Sequence, residues 1–285
     1  MTKRKKMMIW ILAAVLVVAL LIVACDSRLL LRSYVIETEE VSDPVRLVVL
    51  TDLHSCRYGE HQRELLDMVA ELTPQPDAVL LVGDIVDDEL PEENAWTTIE
   101  GLSAAYPCFY ATGNHEWRSG EAERICAQME DCGVTVLHGE TVNFSTAGGQ
   151  LIQICGIDDP DAGAEEQLAQ VGSQVVPETF SVLIAHRPER IETYLQYPFD
   201  LIVSGHAHGG QWRIPGVLNG LFAPQQGLFP RYAGGQYDFE DATLIVSRGL
   251  SRDLRVRVFN PPELVSVDLV PKQNNDSKGS GPSGR

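Results

Sequence analysis

The chain has 285 residues, 44% of them hydrophobic, and a formal net charge of -18. That length and apolar content suit one large domain with appendages. Lys3, Arg4, Lys5 and Lys6 and a slightly cationic C-terminal end leave the body between them more acidic than the total. So acidic a surface repels polyanions and excludes nucleic acid as an expected partner.

Residues 7–24 read MMIWILAAVLVVALLIVA, eighteen apolar positions without a charge. Such a run is long enough to span a bilayer. The Lys/Arg cluster before it places residues 1–6 in the cytoplasm and everything after residue 25 outside. The run exceeds the signal-peptide stretch of about 7–15 apolar residues, so an uncleaved transmembrane anchor over 7–25 is expected. Ile22-Val23-Ala24-Cys25 also resembles a lipobox, which makes a lipid anchor on Cys25 an alternative and a cleaved secretory signal a third. Residues 26–44 then read as a linker, 45–271 as the folded domain, and 272–285 as a disordered tail. Six cysteines fit no zinc-finger spacing and read as small buried apolar residues, with a Cys126–Cys132 disulfide left open.

After residue 44, strand-like and helix-like segments alternate. Val45–Thr51 is a β-branched apolar run. Glu60–Thr73 places Leu65, Leu66, Met68, Val69 and Leu72 at helical spacing. Ala78–Val82 reads as a strand, Glu93–Ala105 as a helix, Cys108–Thr112 as a strand and Glu121–Cys132 as a helix. This βαβαβ order predicts an α/β fold with a mostly parallel sheet covered by helices. Val134–Leu137, Thr141–Ser145 and Leu151–Cys155 follow as strands, the last two joined at Ala147-Gly148-Gly149. Ser181–Ala185 and Leu201–Ser204 are buried-type strands. Periodicity vanishes over 209–241, where Gly, Pro and aromatics predict a long functional loop. Thr243–Ser247 and Leu264–Leu269 close the pattern.

Five polar motifs follow predicted strands: Asp52-Leu53-His54, Gly83-Asp84-Ile85-Val86-Asp87, Gly113-Asn114-His115-Glu116, His186, and Gly205-His206-Ala207-His208-Gly209-Gly210. Loops at the C-terminal ends of parallel strands meet at one rim, where ligands bind in open α/β folds. Asp-x-His and His-x-His each send alternate side chains the same way, so both can reach one cation. Glycines let the backbone turn close to an ion or phosphate. Five of the seven histidines fall in these motifs; only His61 and His138 lie elsewhere. Singly, Asp-x-His or Gly-Asp is an ordinary turn or cap; jointly and in this order, the set points to a metal centre.

The set resembles the calcineurin-like metallophosphoesterase family over about residues 45–270. The resemblance is nearest its membrane-anchored bacterial phosphodiesterase branch, the UDP-2,3-diacylglucosamine pyrophosphatase-like enzymes. It implies a four-layer α/β/β/α sandwich with an N-terminal transmembrane helix. Carried over by motif, it implies one metal on Asp52, His54 and His208, a second on Asn114, His186 and His206, and Asp84 bridging both. It further implies His115 as a non-ligand catalytic histidine beside the substrate, oriented and kept protonated by a hydrogen bond to Asp87. Two divalent ions sharing a hydroxide would attack phosphorus in line, with His115 assisting the leaving oxygen. Nitrogen and oxygen ligands without thiolate suit manganese, iron or zinc.

Protein phosphatases of this superfamily carry arginines where this chain has Asp88 and Thr112. Without that dianion clamp a phosphodiester or pyrophosphate is the better substrate, envelope-borne or lipid-linked. A phosphomonoesterase or nucleotidase on the same centre is the alternative, and an inactive surface-binding protein a third reading. Eight arginines (187, 190, 213, 231, 248, 252, 255 and 257) follow His186. Arg213 and Arg248 are candidates for a second phosphate, with surface ion pairing equally open. Trp212, Leu221, Phe222, Leu228 and Phe229 either meet lipid or form a small core under their loop.

Overall fold

The computed structural model describes residues 2–252 and 256–272. The expected tail beyond Lys272, like Arg255, lies outside them. Helix α1 (Lys3–Ala24) opens the chain. Apolar and uncharged after its first four positions, it is long and apolar enough to cross a membrane, with a mean hydropathy of 3.1 over its most apolar window.

Fourteen strands follow among the described residues. In chain order they are β1 (Leu30–Thr38), β2 (Val45–Leu50), β3 (Ala78–Val82), β4 (Cys108–Ala111), β5 (Thr135–Val136), β6 (Glu140–Ser145), β7 (Leu151–Gly156), β8 (Ser181–Ile184), β9 (Leu201–Ser204), β10 (Phe222–Ala223), β11 (Gly227–Leu228), β12 (Gly235–Asp238), β13 (Thr243–Val246) and β14 (Glu263–Pro271). One six-stranded sheet runs β1-β14-β2-β3-β4-β5 and a second β12-β13-β9-β8-β7-β6, while β10 and β11 form a hairpin. Within the sheets only β14–β2, β12–β13 and β6–β7 pair antiparallel. The expected mostly parallel sheet is therefore two mixed sheets.

Period-2 alternation explains how the sheets stack. Leu47, Val49, Leu80 and Val82 of the first sheet meet Ile152, Ile154, Val182, Ile184 and Val203 of the second in one buried cluster. Their neighbours Val48, Leu50, Val79 and Leu81 face the other way, against apolar residues of α2 (Arg63–Ala70), α3 (Glu93–Ser103) and α5 (Ala122–Asp131). On the far face of the second sheet, Cys155, Leu183, Ile202, Leu244 and Val246 pack on α6 (Ala164–Gly172) and α7 (Ile191–Tyr194). Helices, sheet, sheet and helices thus follow one another through the domain.

Three departures from the sequence reading have physical reasons. The segment 26–44, expected as a linker, carries β1, which pairs in parallel with β14 along nine residues. Its half-exposed edge position weakens the apolar signal. The helix expected over Glu60–Thr73 begins with a 3-10 turn in which His61 and Gln62 adopt positive φ. Gln62 is buried there, its amide donating to Cys56 O and Thr98 Oγ1. Finally α4 (Asn114–Arg118) is a five-residue helix, too short to show a period.

Candidate metal centre

The five motifs sit directly after β2, β3, β4, β8 and β9. The first three strands belong to one sheet and the last two to the other, so the site lies across the strand ends of both. Five of the seven expected ligands hold a left-handed backbone: Asp52 (φ 51°), His54 (47°), Asp84 (52°), His206 (64°) and His208 (47°). That region is uncommon for residues other than glycine and concentrates at functional sites.

Asp84 Oδ2 lies 3.1 Å from His186 Nε2 and 3.6 Å from His54 Nε2. Asp52 Oδ1 lies 3.6 Å from His208 Nε2 and 4.0 Å from His186 Nε2. Asp52, His54 and His208 form one group of donors around a common point, and Asp84, His186 and His206 another. The second nitrogen of two histidines is already engaged: His54 Nδ1 with Asp87 Oδ2 at 2.8 Å, and His186 Nδ1 with Val82 O at 2.8 Å. Such partners fix ring orientation and leave Nε2 directed inward. His54 Nε2, His186 Nε2, Asp84 Oδ2 and Asn114 Oδ1 are buried and make no hydrogen bond among the described residues. Buried polar atoms are rarely left so, and their convergence fits a cation. Burial alone would raise the Asp84 carboxyl, but His186 and His54 hold it well below the usual range. Burial, with His186 adding to it, pushes His206 down to about 3, keeping the neutral imidazole that a metal needs.

Glu116, the last residue of Gly-Asn-His-Glu, assembles the centre without facing it. Its buried carboxylate accepts the backbone N–H groups of Asp84 (3.0 Å), Ile85 (2.8 Å), Val86 (3.1 Å) and Gly113 (2.9 Å). Those bonds tie the β3 loop to α4, and the His115 N–H donates to Asp84 Oδ1 at 2.8 Å. Glu116 stands in its motif without a role implied by the resemblance; an acid three residues into a strand-to-helix turn is the signal that points to it. Across the sheets, His206 N–H donates to Asp52 at 3.0 Å. A Cβ on Gly205 would stand 1.9 Å from Thr51 Oγ1, so only glycine permits that approach.

The expected Asp87–His115 hydrogen bond is corrected. Asp87 is bonded to His54, while His115 Nδ1 meets Asp88 Oδ1 at 2.5 Å and stands 3.4 Å from Asp87. The turn holds Asp87 by the Glu89 and Leu90 N–H groups and aims it inward at His54, so the next carboxylate reaches His115. Burial works against charge on His115, but Asp87, Asp84 and Asp88 together raise its pKa to about 9.

These residues open into a cavity of about 400 Å³, lined also by Arg118, Gln211, Gln225 and Arg257. Gln225 Oε1 meets His206 Nε2 at 2.6 Å. Arg257 is buried; one Nη donates to Gly249 O and Nη1 has no partner among the described residues. Nothing in its sequence context distinguishes it from neighbouring arginines. Arg187, Arg190, Arg248 and Arg252 pair with Asp159, Glu165, Glu263 and Glu64. Arg213, which donates to Gly209 O and Asn219, is likewise outside the cavity lining. Cys126 and Cys132 are free thiols.

A cluster of histidines and carboxylates at the strand ends of two stacked sheets is the mark of a metal-binding class of protein. The model of calcineurin-like phosphoesterases matches residues 45–210, and the chain belongs to that family of metal-dependent phosphoric-ester hydrolases. An uncharacterized metallophosphoesterase of Campylobacter jejuni, Cj0846, is 29% identical over 85% of this chain and 63% of its own length. The present chain therefore spans less than two thirds of that relative. Phosphodiesterase YaeI of Escherichia coli is 26% identical, over 80% of this chain and 83% of YaeI. A transmembrane protein with metallophosphoesterase domain from Bos taurus is 29% identical, over 59% of this chain and 41% of that protein.

Proposed function

We propose that the chain is a membrane-anchored phosphodiesterase or pyrophosphatase with two divalent metal ions, of the four-layer sandwich type, acting on an envelope or lipid-linked phosphate ester. The observation that carries this reading is the buried atoms of His54, Asp84, Asn114 and His186 that make no hydrogen bond, with Asp84 Oδ2 within 3.6 Å of both histidine nitrogens. Asp52, His54 and His208 would hold one ion, Asn114, His186 and His206 the other, and Asp84 both. Such ions lower the pKa of bound water towards 7 and neutralise charge on phosphoryl oxygens. With Gln225 on Nε2, His206 would give Nδ1. Manganese, iron and zinc suit the donors.

His115 faces the cavity but is edge-on to His54, with ring centroids 4.3 Å apart. Protonated by its carboxylate neighbours, it donates to the departing oxygen. Asp87 and Asp88 divide the work, one orienting a ligand and the other the acid. Asp88 carries negative charge where a monoester dianion would need a clamp, which supports the diester reading. The N-terminal cations and α1 support a single-pass anchor with the domain extracytoplasmic. The YaeI likeness supports diester chemistry.

The test uses the full chain in detergent with bis-p-nitrophenyl phosphate and p-nitrophenyl phosphate, with manganese or chelator. Chelator-sensitive diester cleavage is expected, reduced by about 100-fold or more in Asp84→Asn and His115→Ala. Bound metal should fall in Asp84→Asn and persist in His115→Ala. Preference for the monoester would replace the diesterase reading, and absence of bound metal after loading would end it.

A further inference from the structure

Large apolar side chains project from two segments that lie side by side, 212–229 and 256–259, and form a strip. Trp212 is 49% exposed, Ile214 52%, Val217 82%, Leu228 67%, Phe229 67% and Val256 67%. Of the two readings open for Trp212, Leu221, Phe222, Leu228 and Phe229, a small core under the loop does not enclose Trp212, Leu228 or Phe229. Backbone bonds stitch the strip into one layer. Arg213 N–H donates to Val258 O at 2.9 Å, and Val258 N–H to Gln211 O at 3.2 Å. Leu221 N–H donates to Trp212 O, and Phe229 N–H to Leu221 O, each at 2.9 Å. The Trp212 indole adds a bond to Val256 O at 3.1 Å.

Two neighbours of this strip give it meaning. At one edge, Phe259 N–H donates to the carbonyl of Ala24, the last residue of α1, at 2.6 Å. The helix that can cross a bilayer therefore ends on the segment that carries Val256. At the other edge, Gln211, Pro224, Gln225 and Arg257, from the same two segments, line the metal cavity. Exposed apolar patches of this kind mark interaction surfaces, and tryptophan with a polar end suits the membrane–water boundary.

We propose that the strip 212–229 with Val256 rests in the surface of the bilayer that α1 enters, so that the metal cavity opens at the head-group level. The substrate class follows: a phosphate ester in the head group of a lipid held in that leaflet, reached without leaving the membrane. The inference rests on the anchored phosphoesterase reading and adds a second membrane contact to it.

The test reconstitutes the full chain, carrying Trp10→Phe to remove the indole of α1, into phosphatidylcholine vesicles with plain or brominated acyl chains. Flotation establishes incorporation, and tryptophan emission reports contact with lipid. Lower emission in brominated vesicles is expected, with the difference abolished by Trp212→Phe. It should also shrink in Leu228→Gln/Phe229→Gln, whose exposed positions leave the fold intact. Trp96 and Trp117, packed on the domain, supply the emission that stays unquenched. Equal emission in both lipids from a chain that floats would overturn the membrane-resting strip alone, as it would if a protein or a second copy covered it. Failure to float would overturn the anchor reading, and this inference with it.

Discussion

His115 and its carboxylates show how much depends on one residue step. Asp87 and Asp88 are adjacent, yet one bonds His54 and the other His115. Their charges act with Asp84 against burial, so His115 remains protonated up to about pH 9. An acid catalyst whose pKa is raised loses activity only as pH climbs through that raised value. Asp88 is the smallest of the three contributions, so Asp88→Asn should move the alkaline limb of the kcat/KM profile to slightly lower pH, read from diester hydrolysis across pH 6–10. An unmoved limb would show that Asp88 does not help to set the pKa of the group titrating there. The motif resemblance implies Asp87 as the hydrogen-bond partner of His115, and the nearest carboxylate is that of Asp88, one position on. A carboxylate's direction depends on the turn, and here the Glu89 and Leu90 N–H groups turn Asp87 towards His54.

Among the elements, the link between β5, β7 and α6 has a titratable pin. His138 Nδ1 stands 3.0 Å from Asp158, which also accepts from Thr112 Oγ1 and Gln167 Nε2. The hydrogen bond to Asp158 is the main cause that raises His138 to about 10. An unfolded histidine titrates near 6.5. The folded form thus binds the proton more tightly, and its stabilisation is complete below about pH 6.5 and gone above about pH 10. His138→Gln keeps a side chain of similar reach without the titration. Thermal melts should show the parent losing more of its Tm than this variant between pH 7 and 10. Equal slopes would mean the pair contributes nothing to stability. No sequence signal marks this pair, since its members are 20 positions apart and meet only when two strands and a helix pack.

At the scale of the molecule, β1 belongs to the first sheet although it precedes the matched family region. A chain beginning at Asp26 keeps its nine-residue pairing with β14; one beginning at Glu39 exposes β14 as a new edge. The shorter chain should melt lower, by roughly 5 °C or more, in calorimetry at neutral pH. Matching melts would show β1 to be dispensable.

Most strands of the two sheets, the apolar helix and the family are legible in the residues alone, because each is written locally. Period-2 runs such as Ala78–Val82, an uncharged eighteen-residue stretch and five motifs at strand ends need no knowledge of the fold. How the motifs divide between two sheets emerges only from long-range packing. So do the hold of Glu116 on the Asp84 loop, the 2.5 Å contact of Asp88 with His115 beside the 3.4 Å approach of Asp87, and the place of Arg257 in the cavity lining. Each depends on where backbone N–H groups point and on contacts between residues up to about 150 positions apart, such as His206 with Asp52. Hydrogen-bond direction and burial are properties of the packed chain, and no local pattern encodes them.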